Sequence, residues 1–253
     1  MKAARILVLI PHPDDEVVCS ALAIRRAAES GAGVLGLCLT TGVPAREALW
    51  PWQRASYDTR VARRRAEALA VARRLGIEPL GFADWPSRRL KDHLAEAHER
   101  IASTLAAERI TELWAPAWEG AHQDHDVANF LAARHAGRLP LWEFAAYSFA
   151  GGRVETQRFF APRGDEEVRT LTPEEARWKS ELLALYRSER GNLRHIGVAV
   201  ESRRPIARYD YTRPPHAGRL FYQRYQWVPF RHPRIDFDRP EAVCAALAAS
   251  ADR

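Results

Sequence analysis

Ile6-Leu7-Val8-Leu9-Ile10-Pro11-His12-Pro13-Asp14-Asp15-Glu16 is the stretch that decides the fold. Its first five residues are a continuous apolar run, the pattern of a strand buried on both faces of a parallel sheet. Pro11 ends the run, and one imidazole and three carboxylates follow within five residues. Val17, Val18, Ala21, Leu22 and Ile24 then recur at helical spacing. The charged cluster therefore falls where a first strand hands over to a first helix, the point at which open α/β sheets place their chemistry. His12 and Asp15, three apart on a tight turn, can converge on one metal ion. Asp14, between them, points elsewhere and is left as a carboxylate beside the metal, which suits a general base acting on water. The competing reading is a polar turn in which Asp14 or Asp15 caps the helix and Glu16 faces its dipole.

A second cluster decides between them. Thr111 to Ala115 reads as a fourth strand closed by Pro116, and it leads into Trp118-Glu119-Gly120-Ala121-His122-Gln123-Asp124-His125-Asp126. An apolar helix through Val127, Phe130 and Leu131 follows. If the first strand neighbours the fourth, the two loops meet at the topological switch point of a doubly wound sheet. His125 can then be the third metal ligand, and His122, about one turn earlier, faces the same pocket.

Between these clusters, Val34 to Leu39 reads as a strand ending in Thr40-Thr41-Gly42. Residues 43 to 60 form a long loop bearing Trp50, Trp52 and Tyr57; it is either a lid for sugar rings or apolar tails, or a loop whose tryptophans pack beneath it. Helices are expected from Arg60 to Leu75, stopped by Gly76, and from Leu90 to Ala107, with a strand at Leu80 to Ala83. Beyond residue 140, strands are expected at Leu141 to Phe149 and Val154 to Phe160. A helix should span Pro173 to Glu189, with Thr172 as its N-cap. Periodicity fades after Arg190. The fold class is therefore α/β, a Rossmann-like three-layer sandwich with a mostly parallel sheet. Residues 1–253 are expected to be a single domain, with its core at about 1–193 and residues 194–253 as a covering segment.

Composition narrows the class further. A 47% hydrophobic, 28% charged chain is ordinary for a globular protein, and no apolar run reaches the roughly 18 residues of a membrane span. No signal-peptide cleavage pattern follows residues 5 to 10, so a cytoplasmic location is the default. Cys19, Cys38 and Cys244 lack the spacing of a disulfide framework or zinc knuckle. Only Lys2, Lys91 and Lys179 are lysine among 38 basic residues. Arginine suits phosphate or carboxylate groups, but a chain-wide bias is more a matter of genome composition, and no nucleic-acid motif accompanies it.

The sequence resembles the PIG-L/LmbE-like family of zinc-dependent N-deacetylases, which act on N-acetylglucosamine conjugates. The likeness rests on Pro11-His12-Pro13-Asp14-Asp15-Glu16 together with His122-Gln123-Asp124-His125. Thr41-Gly42, Arg64 with Glu67, Leu75-Gly76, and Lys179 with Tyr186 and Ser188 agree less specifically. The resemblance implies that His12, Asp15 and His125 bind one Zn2+, or another divalent metal, per chain, and that Asp14 is the base. It implies that His122 steadies the oxyanion or protonates the departing amine, that Asp124 orients a histidine, and that Arg64 helps hold the substrate. Many members carry Asp-Gly after the third strand where this chain has Trp85-Pro86-Ser87-Arg88. Some have a tyrosine two residues before the catalytic histidine, where this chain has Gly120. Three protein ligands would leave zinc an open position, as in catalytic sites, and an oxyanion donor like His122 is worth roughly 3–4 kcal/mol.

The expected activity is removal of acetate from an N-acetylated sugar conjugate, a small-molecule substrate, with no nucleic acid as partner. The alternatives are hydrolysis of another amide or ester at the same centre, or a non-catalytic sugar- or metal-binding protein. A homo-oligomer is compatible with the sequence. Tyr209-Asp210-Tyr211-Thr212-Arg213-Pro214-Pro215-His216-Ala217-Gly218 is either a rigid surface loop or a wall of the pocket, in which case Arg213 or His216 contacts the substrate.

Overall fold

Alternate residues of the opening strand leave on opposite faces, and both faces are buried. In the computed structural model, which describes residues 3–251, β1 (Arg5–Ile10) sends Ile6, Val8 and Ile10 into one apolar core and Leu7 and Leu9 into another. β2 (Gly33–Cys38) divides in the same way, with Val34 and Cys38 on one side and Leu35 and Leu37 on the other. Burying each such side chain is worth about 1.5–3 kcal/mol, so a strand buried on both faces anchors two helical layers at once.

Those layers are α1 (Asp15–Glu29), α2 (Tyr57–Leu75) and α5 (Pro173–Leu185) on one face, and α3 (Leu94–Ala107), α4 (Gln123–Ala133) and α6 (Pro240–Ala251) on the other. The sheet between them also contains β3 (Glu78–Phe82), β4 (Glu112–Pro116), β5 (Leu141–Phe144), β8 (Glu167–Thr170) and β9 (Val200–Pro205). Its seven strands run in the order β3-β2-β1-β4-β5-β9-β8. The first five are parallel, and β9 and β8 are antiparallel additions. Ile6 to Val8 pair with Glu112 to Trp114, the neighbour relation that the two-cluster argument required. A separate ribbon joins β6 (Tyr147–Ser148) to β7 (Glu155–Thr156).

Several elements differ from the sequence reading. Leu141 to Phe149 is not one strand: β5 stops at Phe144, and the chain restarts as β6. Val154 to Phe160 keeps only two strand residues, in β7. The helix expected to reach Glu189 ends at Leu185, with a 3-10 turn over Arg187–Glu189. Its start agrees: Thr172 caps it through a reciprocal capping box with Glu175, and Pro173 occupies the first turn. The chain after residue 193 does more than cover an edge, because β9 enters the main sheet and α6 packs in the second core. In the loop at 43–60, Trp52 is 73% exposed and stacks on Trp50.

α1 breaks at Ser20, where φ is −145°, and the break is repaired from outside. The Val18 carbonyl accepts from Gln157 Nε2 at 2.8 Å and Lys179 Nζ at 3.2 Å. The Leu22 amide, its lost helical partner, donates instead to Glu201 at 3.0 Å. Lys179 and Glu201 are both buried and lie 2.8 Å apart, so a buried ion pair is inserted into the helical ladder. Lys179→Met would leave Glu201 buried without its cation. The expected loss in a denaturant titration is about 3–5 kcal/mol, with a smaller loss when Glu201→Gln is added.

Candidate metal centre

Both loops leave the carboxyl ends of paired strands, so the β1–β4 register sets their separation. His12 follows β1, and Asp15 opens α1. His122 caps α4 by accepting the Asp124 amide on Nδ1 at 3.1 Å, and His125 lies in the first turn. His12, Asp15 and His125 offer donor atoms within 4.8 Å of one another. Asp15 stands between the imidazoles: its Oδ2 is 3.1 Å from His12 Nδ1, and its Oδ1 is 3.0 Å from His125 Nε2. Yet neither ring nitrogen of His125, a fully buried residue, makes a hydrogen bond. A buried imidazole without partners, facing a buried carboxylate, fits a cation between them. The donor set of two imidazoles and one carboxylate suits zinc or a similar divalent ion.

The group around these three explains their arrangement. Asp124 Oδ2 lies 2.9 Å from His12 Nε2, and Ser87 Oγ lies 3.2 Å from the same nitrogen. A proton fixed on Nε2 leaves the Nδ1 lone pair for a metal, the carboxylate–histidine arrangement common around bound ions. Asp124 is itself clamped by the amides of Arg88 at 2.6 Å and Leu90 at 3.3 Å. Arg88 adopts φ +72°, a left-handed conformation that favours glycine. A second grouping, His12 with His122 and Asp124, is also compact, but its nitrogens already serve Asp124 and the α4 cap.

Electrostatics follow the same logic. Burial pulls the His12 pKa down, but Asp15 and Asp124 outweigh it and raise it to about 10. Burial pushes the Asp15 carboxyl up, and His125 and His12 overcome that to hold it well below the usual carboxylate range. Burial also lowers the His122 pKa well below its ordinary value, with His12 adding to the effect. His122 is therefore neutral, and with Nδ1 spent on the cap its proton sits on Nε2.

Asp14 is set apart from the ligands. Its φ is 145°, a strained backbone for a non-glycine residue, and its amide donates to Glu16 Oε2 at 3.1 Å. Glu16 also accepts the hydroxyl of the fully buried Tyr186. Arg64 Nη1 and Nη2 meet Asp14 Oδ2 at 3.1 and 3.2 Å, and Nη1 lies 3.3 Å from Glu189. Burial raises the Asp14 pKa to about 6, with Arg64 opposing.

The structure thus brings together His12, Asp14, Asp15, His122, Asp124 and His125. The substrate-holding residues are placed differently. Arg64, expected at the substrate, is 2% exposed and turned onto Asp14 and Glu189. Arg213 is expected at the pocket wall, but its side chain is 83% exposed and faces only Asp210, at 3.5 Å. His216 rests on Phe160 and the Ala217 carbonyl. The prolines of that segment do stiffen a loop, but its tyrosines tie it behind α4, where Tyr209 bonds Glu143 and Tyr211 bonds Asn129 at 2.7 Å.

Residues that sequence reasoning did not single out pack beside the histidine loop instead. The Phe221 amide donates to the Gly120 carbonyl at 2.9 Å. Gly120, at φ +70°, lies so close to Leu220 that a Cβ would fall 2.7 Å from Leu220 Cδ2. Tyr147 stands edge-on to His125, with ring centroids 5.7 Å apart. The aromatic content of 219–225 was the available signal, but nothing in the sequence links it to Gly120.

Residues 7–136, over half of the chain, match the family described as PIG-L: GlcNAc-PI de-N-acetylase. The chain belongs to that family. A Bacillus cereus protein named "Probable N-acetyl-alpha-D-glucosaminyl L-malate deacetylase 2" is 27% identical over 139 residues, which are 53% of this chain and 62% of that protein. The zinc-inhibited form of teicoplanin deacetylase superposes with a TM-score of 0.62 at 22% identity, covering 82% of this chain and 99% of that one. The 4-carboxy-2-hydroxymuconate hydratase of Pseudomonas putida superposes at 0.53 with 17% identity, covering 81% of this chain and 97% of that one. At such identities the superpositions establish the fold.

The Asp124–His12 contact generates a prediction. Asp124→Asn keeps all three ligand side chains but weakens control of the His12 tautomer. Metal affinity, measured by competition with a chromogenic chelator, should fall about 10–100-fold. An unchanged affinity would remove Asp124 from the centre.

Proposed function

We propose that this chain is a metal-dependent N-deacetylase of N-acetylglucosamine-type conjugates, with His12, Asp15 and His125 as ligands and zinc as the natural ion. The observation that carries the reading is the unpartnered His125 imidazole facing Asp15, with Asp14 beside them but outside the set. Family membership and the acetylated-sugar enzymes among the relatives support it.

A divalent ion at these ligands would supply Lewis acidity, making water more acidic and polarising the acetamide carbonyl. Asp14, held by Arg64, accepts the proton of the attacking water. His122 donates from Nε2 to the carbonyl oxygen as that atom gains charge. Because His122 is neutral with Nδ1 engaged, Asp14 is the better placed group to return the proton to the departing amine. Acetate and a free amine leave. The whole chain serves as one deacetylase domain in this reading, since β9 and α6 belong to the same sheet and core. Three free, buried cysteines suit the reducing cytoplasm, and no helix among the described residues is long and apolar enough to cross a membrane.

Hydrolysis of a different amide or ester is the second reading, favoured by one observation: the same fold is found in a hydratase. A panel of N-acetylated sugar conjugates, simple amides and esters, assayed for acetate with and without a chelator, separates the two. Chelator-sensitive release confined to the acetylated sugars is the expected result; release from the other amides or esters alone supports the second reading.

The division of roles is testable separately. Asp14→Asn should keep its metal and lose about 10²–10⁴-fold in kcat, whereas His125→Ala should lose both metal and turnover. If Asp14→Asn empties the site as fully as His125→Ala, the base and ligand assignments are wrong.

A further inference from the structure

Tyr186 ends α5 and leads into the short turn Arg187–Glu189, and from this stretch two side chains reach Asp14 by separate routes. The first runs through Glu16. The Tyr186 hydroxyl donates to Glu16 Oε1, and Glu16 Oε2 accepts the Asp14 amide at 3.1 Å. The second runs through Arg64. Glu189 Oε1 lies 3.3 Å from Arg64 Nη1, which donates to Asp14 Oδ2 at 3.1 Å. The turn itself is fixed: the Ser188 amide donates to Glu67 Oε1 at 3.1 Å on α2, the helix that also carries Arg64. The Glu189 amide closes onto the Tyr186 carbonyl at 3.0 Å. Tyr186, Glu16 and Arg64 are all buried, so both routes run through the interior.

These contacts account for the φ of 145° at Asp14, an angle a non-glycine residue keeps only where its surroundings fix it. The angle is a rotation about the N–Cα bond, and both ends of that bond are held. On the carbonyl side, Asp14 accepts the Val17 and Val18 amides at 3.0 and 2.9 Å and so begins α1. On the amide side, the partner is Glu16. The angle in turn aims the carboxylate, which meets Arg64 and stays outside the grouping of His12, Asp15 and His125. We infer that the segment from Tyr186 to Glu189 positions Asp14 as the base: Tyr186, through Glu16, holds its backbone, and Glu189, through Arg64, holds its carboxylate. The inference rests on the deacetylase reading and adds two positioning residues to it, each acting through a neighbour.

Tyr186→Phe removes one hydroxyl, and Glu189→Gln, at a partly exposed side chain, removes one charge. With p-nitrophenyl N-acetyl-β-D-glucosaminide as substrate and the freed amine as readout, each should lower kcat about 10–100-fold. KM should change less than about threefold, and metal content should match the wild type. In an Asp14→Asn background neither substitution should lower kcat further, because residues that act through one group are not additive. The same fold-loss in both backgrounds would show a structural role only, and an unchanged kcat or a loss of metal would equally overturn the inference. Hydrogen exchange needs no turnover. The Asp14 amide of Tyr186→Phe should exchange on the order of tenfold faster than in the wild type, with the β1 amides unchanged. Equal exchange would show that Tyr186 does not hold the Asp14 backbone. If the wild-type protein holds metal but cleaves no acetylated sugar, while the Asp14 amide responds as expected, the deacetylase reading fails and the positioning stands.

Discussion

Parallel pairing of β1 with β4 is the constraint on which the site depends. It sets Ile6 to Val8 beside Glu112 to Trp114, so the loops beginning at Pro11 and Ala117 emerge side by side although about 110 residues separate their histidines. Everything else at the centre follows from that adjacency. Asp15 can stand between two imidazoles, and Asp124 can reach back across the gap to orient one of them. The pairing is anchored because β1 is buried in an apolar core on each face.

The centre gathers many carboxyl groups in a buried space. Asp14, Asp15, Glu16, Glu119, Asp124 and Asp126 are all buried. Some are relieved by backbone amides, as when Asp126 accepts from Glu119 and Gly120, and burial raises the Asp126 pKa to about 8. Arg64 relieves Asp14. Asp15 accepts the His12 amide at 2.8 Å and otherwise faces the His12 and His125 rings, the second of which makes no hydrogen bond. Buried charge of this kind calls for a paired or coordinated cation, which is why ligand geometry and electrostatics point to the same place.

The legible part of the molecule was the part governed by local pattern. An apolar run ending in Pro-His-Pro-Asp-Asp-Glu reveals a strand, a turn and a cluster of candidate ligands without tertiary information. Thr172-Pro173 reveals a helix start in the same way. β8 was missed because an edge strand such as Glu167–Thr170, which is exposed throughout, carries no apolar signature, and β9 because its buried residues Glu201, Ser202 and Arg204 are polar. Arg64 was read as substrate-holding and meets Asp14 and Glu189, because a motif arginine says nothing about which carboxylate it will face. Arg213 and His216 were expected at the pocket wall, but two prolines mark rigidity and not direction. Leu220 and Phe221 reach Gly120, two residues before His122, through a contact that only the folded chain creates.

The central claim is that one divalent ion sits between His12, Asp15 and His125. Anomalous diffraction at the zinc absorption edge, from crystals of the zinc-loaded protein, tests it most directly. The account predicts a single strong peak per chain bonded to His12 Nδ1, Asp15 and His125 Nε2, with Asp14 outside bonding distance. A peak held by His122 and Asp124, or one with Asp14 as a ligand, would contradict it.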